Sequence, residues 1–207
     1  MQCSKFCMEF VKEFAIFLYK NDIIKFGNFT LSSGKQSTYY IDIRLLPSYP
    51  HEYRKIIKNL QNLISEQIGL EKFDSLASVP TGGLVIASSL AIEIVKPLIY
   101  VRKKQKEHGT SKLVEGKTTK GMEILMIDDV ATTGESVVNA LKILKKEGVN
   151  VNHAYVIINR KEGADKLLES EGVRLHQITD ILEITDILYK ENLIDEQMLQ
   201  SVKNQVN

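Results

Sequence analysis

A chain of 207 residues, 43% of them hydrophobic, can bury one substantial core and is too short for several independent domains. Its 27 basic and 26 acidic residues give a net charge of +1, so neither nucleic acid nor an anionic membrane is expected as a partner, and any functional charge must be local. No run is apolar enough to span a bilayer, Glu9, Lys12 and Glu13 interrupt any signal-peptide core, and Cys3 and Cys7 lack the further ligands of a zinc site; a cytoplasmic protein with reduced thiols is expected.

Phe6, Phe10, Val11, Phe14, Phe17 and Leu18 recur at helical spacing and predict an amphipathic helix to about Lys20. Next, β-formers at Phe29 to Leu31 and Thr38 to Ile43 flank a Ser-Ser-Gly-Lys turn and predict a hairpin. Tyr39 and Tyr40, adjacent on its second strand, either stack on a planar ligand or simply point one inward and one outward. A helix follows from about His51 to Gln67, burying Tyr53, Ile56, Ile57, Leu60 and Ile64.

From Ser75 strands and helices alternate: "SLASV", a helix from Leu84 to Val95, "LIYV", a long polar loop, "ILMID", a helix, "AYVIIN", a helix near Ala164 to Ser170, and "VRLHQI". This alternation predicts an α/β fold, a parallel sheet flanked by helices, whose ligands bind beyond the carboxyl ends of the strands. The segments after Val79, Val101, Asp128 and Asn159 are thereby singled out. Two terminal helices, capped by Asp180 and Asp195, complete a single expected domain: about 1–48, an α/β core over about 75–180, and about 181–207.

The stretch "EILMIDDVATTGESV" carries the strongest chemical signal. An apolar strand ends at Asp128 and Asp129, and the turn that follows opens a helix marked by Val137, Val138, Leu141 and Leu144. Backbone N–H groups and the helix dipole converge there on a phosphate-like point, with Thr132, Thr133 and Ser136 adding hydroxyls. Two acids beside a phosphate repel it unless they serve neutral hydroxyls or a divalent cation, and a sugar phosphate satisfies both. An αβ turn with an aspartate cap is the plain alternative. A nucleoside-triphosphate loop does not fit the "GKT" at Gly116, because Ser111 stands where its first glycine belongs. "SVPTGG", Ser78 to Gly83, ends another buried strand with glycines that let backbone approach an anion. Arg102, Lys103, Lys104, Lys106 and His108 leave a strand end and lead into a long polar segment, as in a closing lid.

Strand, Asp-Asp and Thr-Thr-Gly loop together resemble the 5-phosphoribosyl 1-pyrophosphate motif of the type I phosphoribosyltransferases, and from about Phe26 onward the chain is similar to their orotate phosphoribosyltransferase branch. The resemblance implies transfer of the phosphoribosyl group to orotate, giving orotidine 5'-monophosphate and pyrophosphate in pyrimidine nucleotide biosynthesis, with Mg2+ and a homodimer that shares its active sites. It implies that Asp128 and Asp129 hold the ribose hydroxyls and orient the magnesium-bound diphosphate, contacting the metal through water and diphosphate. Val130, Ala131, Thr132, Thr133, Gly134, Glu135 and Ser136 would cradle the 5'-phosphate, and Pro80, Thr81, Gly82 and Gly83 the pyrophosphate. Arg102, Lys103, Lys106 and His108 match the family's catalytic loop, with Lys104 beside them. The hairpin, with Lys35, Tyr39 and Tyr40, matches a hood over the base, and Arg160 in "INRKEG" matches an arginine that helps bind orotate. Three departures stand out: Glu135 where a small residue is usual, and Ser32 and Gly82 where some relatives carry lysine. Transfer to another nucleobase, or a regulator that senses the same donor without catalysis, are the competing readings.

Overall fold

The computed structural model describes residues 5–30, 34–102 and 112–206. The chain divides into two compact units, Met1–Pro50 with Thr179–Asn207, and His51–Ile178. Cys3 lies outside the described residues, and with it the reading of the cysteines as a pair. Among the described residues no helix is long and apolar enough to cross a membrane.

In the first unit, helix α1 (Lys5–Lys20) buries Phe10, Val11, Phe14 and Leu18, the three-and-four spacing of an amphipathic helix. Strand β1 (Ile24–Thr30) pairs antiparallel with β2 (Gln36–Ile41). The hairpin therefore begins well before Phe29, because Ile24 pairs with Ile41 and is buried. A register irregularity between Phe26 and Phe29, with Gly27 at φ 146°, breaks the alternation that would have revealed the longer strand. The second strand stops at Ile41 instead of Ile43, since Ile43 enters a 3-10 helix, Ile43–Ser48, that buries it together with Leu46. Helices α2 (Pro50–Gln67), α3 (Gly82–Glu93), α4 (Glu135–Lys146) and α5 (Ala164–Ser170) follow in the second unit. The chain then returns to the first unit for α6 (Ile181–Lys190) and α7 (Glu196–Val206). Both expected caps form: Asp180 accepts from Glu183 N at 2.9 Å and Asp195 from Met198 N at 2.8 Å. Gln205 Oε1 accepts from Thr38 N (2.6 Å) and Thr38 Oγ1 (2.9 Å), tying α7 to β2.

The second unit is built on β3 (Ser75–Ser78), β4 (Leu98–Val101), β5 (Val114–Glu115), β6 (Glu123–Ala131), β7 (Asn150–Asn159) and β8 (Arg174–Asp180), in the order β5-β4-β3-β6-β7-β8. Strands β4, β3, β6 and β7 run parallel. The short β5, inside what reads in sequence as a polar loop, pairs antiparallel with the end of β4. The unbroken burial of β3 and the continuous apolar run of β6 from Ile124 to Ile127 reflect burial on both faces. Leu76, Leu125, Met126, Ile127, Ile157 and Ile158 are all at most 1% exposed.

Chain order reverses at the centre of this sheet: β3 is followed by its neighbour on one side, β4, and β6 by its neighbour on the other, β7. The carboxyl ends of β3 and β6 thus flank the switch point, where doubly wound sheets bind ligands. Strand β6 also runs further than the sequence suggests. Asp128 still pairs with Val156 and Ala131 with Asn159, so the acid pair lies within the sheet edge and the chain leaves it only after Ala131. Helix α3 begins two residues before Leu84 and ends at Glu93, leaving Ile92 and Val95 exposed.

Candidate active site at the carboxyl edge of the sheet

The acid pair is held by its own backbone. Asp128, 9% exposed, accepts from Asp129 N at its Oδ1 (3.0 Å), and Asp129 Oδ1 accepts from Val130 N (3.0 Å). One oxygen of each carboxylate is oriented in this way.

Against these acids lies the "PTGG" turn. A Cβ built on Gly82 would fall on the Asp129 carboxylate, 2.5 Å from its Cγ. One on Gly83 would meet the Asp128 carboxylate and stand 2.9 Å from both Asp128 Cα and Ser78 Oγ. Only glycine permits this approach. The lysine that some relatives carry at position 82 has no space in this arrangement. The Pro80–Thr81 peptide bond is cis.

The phosphate-type turn is built as its sequence implies. Gly134 adopts φ 85° and precedes α4 without a side-chain cap, so the first-turn N–H groups of that helix are directed toward an incoming anion. Thr133 Oγ1 lies 3.5 Å from Glu135 N. The segment after β7 braces the turn: Arg160 N donates to Ala131 O (2.8 Å) and Ala164 N to Thr132 O (3.2 Å). A Cβ on Gly134 would stand a tight 3.2 Å from Ala164 Cα, and the positive φ is one that residues with a side chain rarely adopt.

Glu135, the first residue of α4, is exposed, where its charge favours the helix N-terminus. It lines a cavity of about 380 Å3 with Val79, Val101, Arg102, Ser136 and Asn139. Arg102 is the basic side chain lining the same cavity, and the two are related through that shared space. Arg102 is itself held, by an ion pair with Glu115 at 3.3 Å and by its N–H to Leu113 O at 2.8 Å. Lys103, Lys104, Lys106 and His108 lie outside the described residues.

Arg160 is 6% exposed, and its guanidinium pairs with Glu162 Oε1 at 2.8 Å. Sequence reasoning passed over Glu162; an acid two residues beyond a candidate ligand arginine was the available signal. It also passed over Asn159, whose Nδ2 donates to Asp165 (3.1 and 3.0 Å) and to Gln177 Oε1 (2.8 Å) while its Oδ1 accepts from Lys161 N (2.8 Å).

The hairpin residues belong to the other compact unit. Tyr39 is 0% exposed, which removes it as a stacking surface: alternation along β2 sends it into the core. Tyr40, on the opposite face, is half-buried beside Phe29, and its hydroxyl accepts from Arg44 at 3.3 Å. Lys35 is exposed. Ser32 is outside the described residues.

Among the described residues no cluster of three or more His, Cys, Asp or Glu forms a metal cage. Asp128 and Asp129 nonetheless fit the habit of Mg2+, which takes one or two carboxylates and completes its shell with water and substrate phosphates.

Residues 47–186 match the model of the phosphoribosyl transferase domain. The chain is 46% identical to an orotate phosphoribosyltransferase of Cenarchaeum symbiosum, over 95% of this chain and 98% of the relative. It is 40% identical to one of Staphylothermus marinus, over 95% of both chains. The crystal structure of orotate phosphoribosyltransferase from Aeropyrum pernix superposes with a TM-score of 0.75 at 37% identity, covering 87% of this chain and 99% of that one.

Proposed function

The chain belongs to the phosphoribosyltransferase family, in its orotate-using branch, and from that premise we propose how its residues act. The reaction is transfer of the phosphoribosyl group of 5-phosphoribosyl 1-pyrophosphate to orotate, yielding orotidine 5'-monophosphate and pyrophosphate. The observation that carries the site assignment is the contact of Gly82 and Gly83 with Asp129 and Asp128 at the switch point, beside a phosphate-type helix N-terminus.

The uncapped first turn of α4, with Thr132, Thr133 and Ser136, takes the 5'-phosphate. Asp128 and Asp129 take the ribose hydroxyls and spread the positive charge that develops at the anomeric carbon. The backbone of Pro80 to Gly83 receives the diphosphate close to the acids. Asp128 and Asp129 would hold Mg2+ through water and diphosphate, and the ion would supply charge neutralisation of the departing diphosphate. Arg160 offers its N–H groups to the carboxylate or imide edge of orotate. Arg102, with Lys103, Lys106 and His108, stabilises the leaving group; one well-placed donor of this kind contributes roughly 3 kcal/mol. Orotate is already an anionic nucleophile, so positioning and water exclusion do most of the work.

The protein acts as a homodimer in the cytoplasm. Support for pairing comes from Val85, Ile92 and Val95, exposed at 40%, 82% and 88% along one side of α3 and its end. Mixing protein, Mg2+, donor and orotate and following orotate's ultraviolet absorbance tests the reaction. Loss of absorbance dependent on all components is expected. Unchanged orotate, with turnover of another nucleobase or of none, overturns the assignment.

A further inference from the structure

We propose that Glu162 is a positioning residue for orotate recognition, acting through Arg160; this rests on the reading of Arg160 as the base-binding arginine. The two side chains are 7% and 6% exposed and meet at 2.8 Å. An ion pair buried this deeply is a poor source of stability, because removing both charges from water offsets most of their attraction. Its place at the carboxyl end of β7, joined through the Arg160 backbone to Ala131 where the phosphate turn begins, calls for a functional reason.

The backbone around Arg160 is already fixed. Its N–H is bound to Ala131 O (2.8 Å), Lys161 N to Asn159 Oδ1 (2.8 Å), and Asn159 in turn to Asp165 and Gln177. The arginine side chain carries a planar fork that must be aligned to meet a planar carboxylate or imide edge. Glu162 restricts that fork. Its charge has a second consequence. An unneutralised guanidinium beside the 5'-phosphate turn would attract the donor's polyanion, whereas the pair carries no net charge and recognises its ligand through directed hydrogen bonds. Glu162 thus reserves Arg160 for the base.

The test compares wild type, Glu162→Gln, Arg160→Gln and the double variant by steady-state kinetics in both substrates, with melting temperatures alongside. Glu162→Gln is expected to raise the KM for orotate about 10-fold while the KM for the donor stays within about 2-fold, and to have no further effect on orotate KM once Arg160 is Gln. A parallel rise in both KM values, no rise in either, or an orotate effect that persists without Arg160 overturns the proposal. Should Glu162→Gln fail to fold, Glu162→Asp keeps the charge and draws the carboxylate back; a selective orotate effect is again expected, and an unselective one overturns it. A wild-type protein that does not consume orotate would defeat the functional reading itself, a result distinct from these.

Discussion

Gly82 lies directly against the Asp129 carboxylate, so that a Cβ at position 82 would stand 2.5 Å from the Asp129 Cγ. Gly82 opens α3 just beyond β3 and Asp129 lies near the end of β6, so residues far apart in sequence meet at the carboxyl ends of adjacent parallel strands. In the proposed function the backbone of Pro80 to Gly83 receives the diphosphate and the acid pair the ribose, so this contact would set the distance between the two halves of the donor site.

Gly82 and Gly83 should respond differently to alanine. At Gly82 the obstacle is the end of the Asp129 side chain, which can swing away; at Gly83 it includes Asp128 Cα, which is backbone. Gly82→Ala is therefore expected to lower kcat roughly 100-fold with little change in melting temperature, as is Asp129→Asn. Gly83→Ala should cost about 1–3 kcal/mol of stability as well. Thermal unfolding and kinetics of the three variants check this; equal melting temperatures for both glycine variants would contradict the geometry.

Glu135 places a negative charge at the helix N-terminus proposed to receive the 5'-phosphate. Glu135→Ala removes that repulsion, and the KM for the donor should fall about 2- to 5-fold, the equivalent of about 0.4–1 kcal/mol. Raising the salt concentration should shrink the difference. A higher donor KM in the variant would show that Glu135 assists binding.

Stability should depend on pH through His176. Burial, then His153 and then Arg174, push its ring down to about 4 from the ordinary 6.5. His153, whose Nδ1 lies 3.0 Å from His176 Nε2, is lowered as well, chiefly by burial. The unfolded chain therefore takes up these protons first: the contribution is complete above pH 6.5 and drains away as pH falls toward 4. For His176 it reaches at most about 3 kcal/mol. Denaturant unfolding of wild type and His176→Gln between these limits should show a shallower acid loss in the variant. Parallel profiles would remove His176 from the account.

The exposed apolar residues of α3 predict the assembly. Ile92→Asp combined with Val95→Asp should convert a dimer to a monomer in light scattering after gel filtration, since two charges desolvated in an apolar interface oppose association. A wild type that is itself monomeric, or a variant that remains dimeric, would remove this surface from the proposal.

Much of the site was legible because its chemistry is local in sequence. The strand "ILMID", the acids that close it, the turn through Gly134 and the helix beginning at Glu135 are consecutive, and periodicity together with glycine placement locates them. The alternation after Ser75 likewise specifies a parallel sheet and directs attention to its carboxyl edge. Tyr39 and Tyr40 show where such reasoning stops. Adjacent strand residues must face opposite ways, but which one meets the core depends on what packs against the strand. The bulge at Gly27 and the short β5 escaped for a related reason: a broken alternation and a two-residue pairing leave little periodic signal.

The sequence by itself determined the elements, the order of the loops and the family of chemistry, since each is written in residues near one another along the chain. Only the tertiary structure decided that Gly82 and Gly83 sit on the acid pair, that Arg102 shares a cavity with Glu135, and that Glu162 is buried against Arg160. The first two depend on strand order, which brings separate loops together at a switch point. The last depends on burial, which turns two ordinary charges in a short loop into a fixed pair.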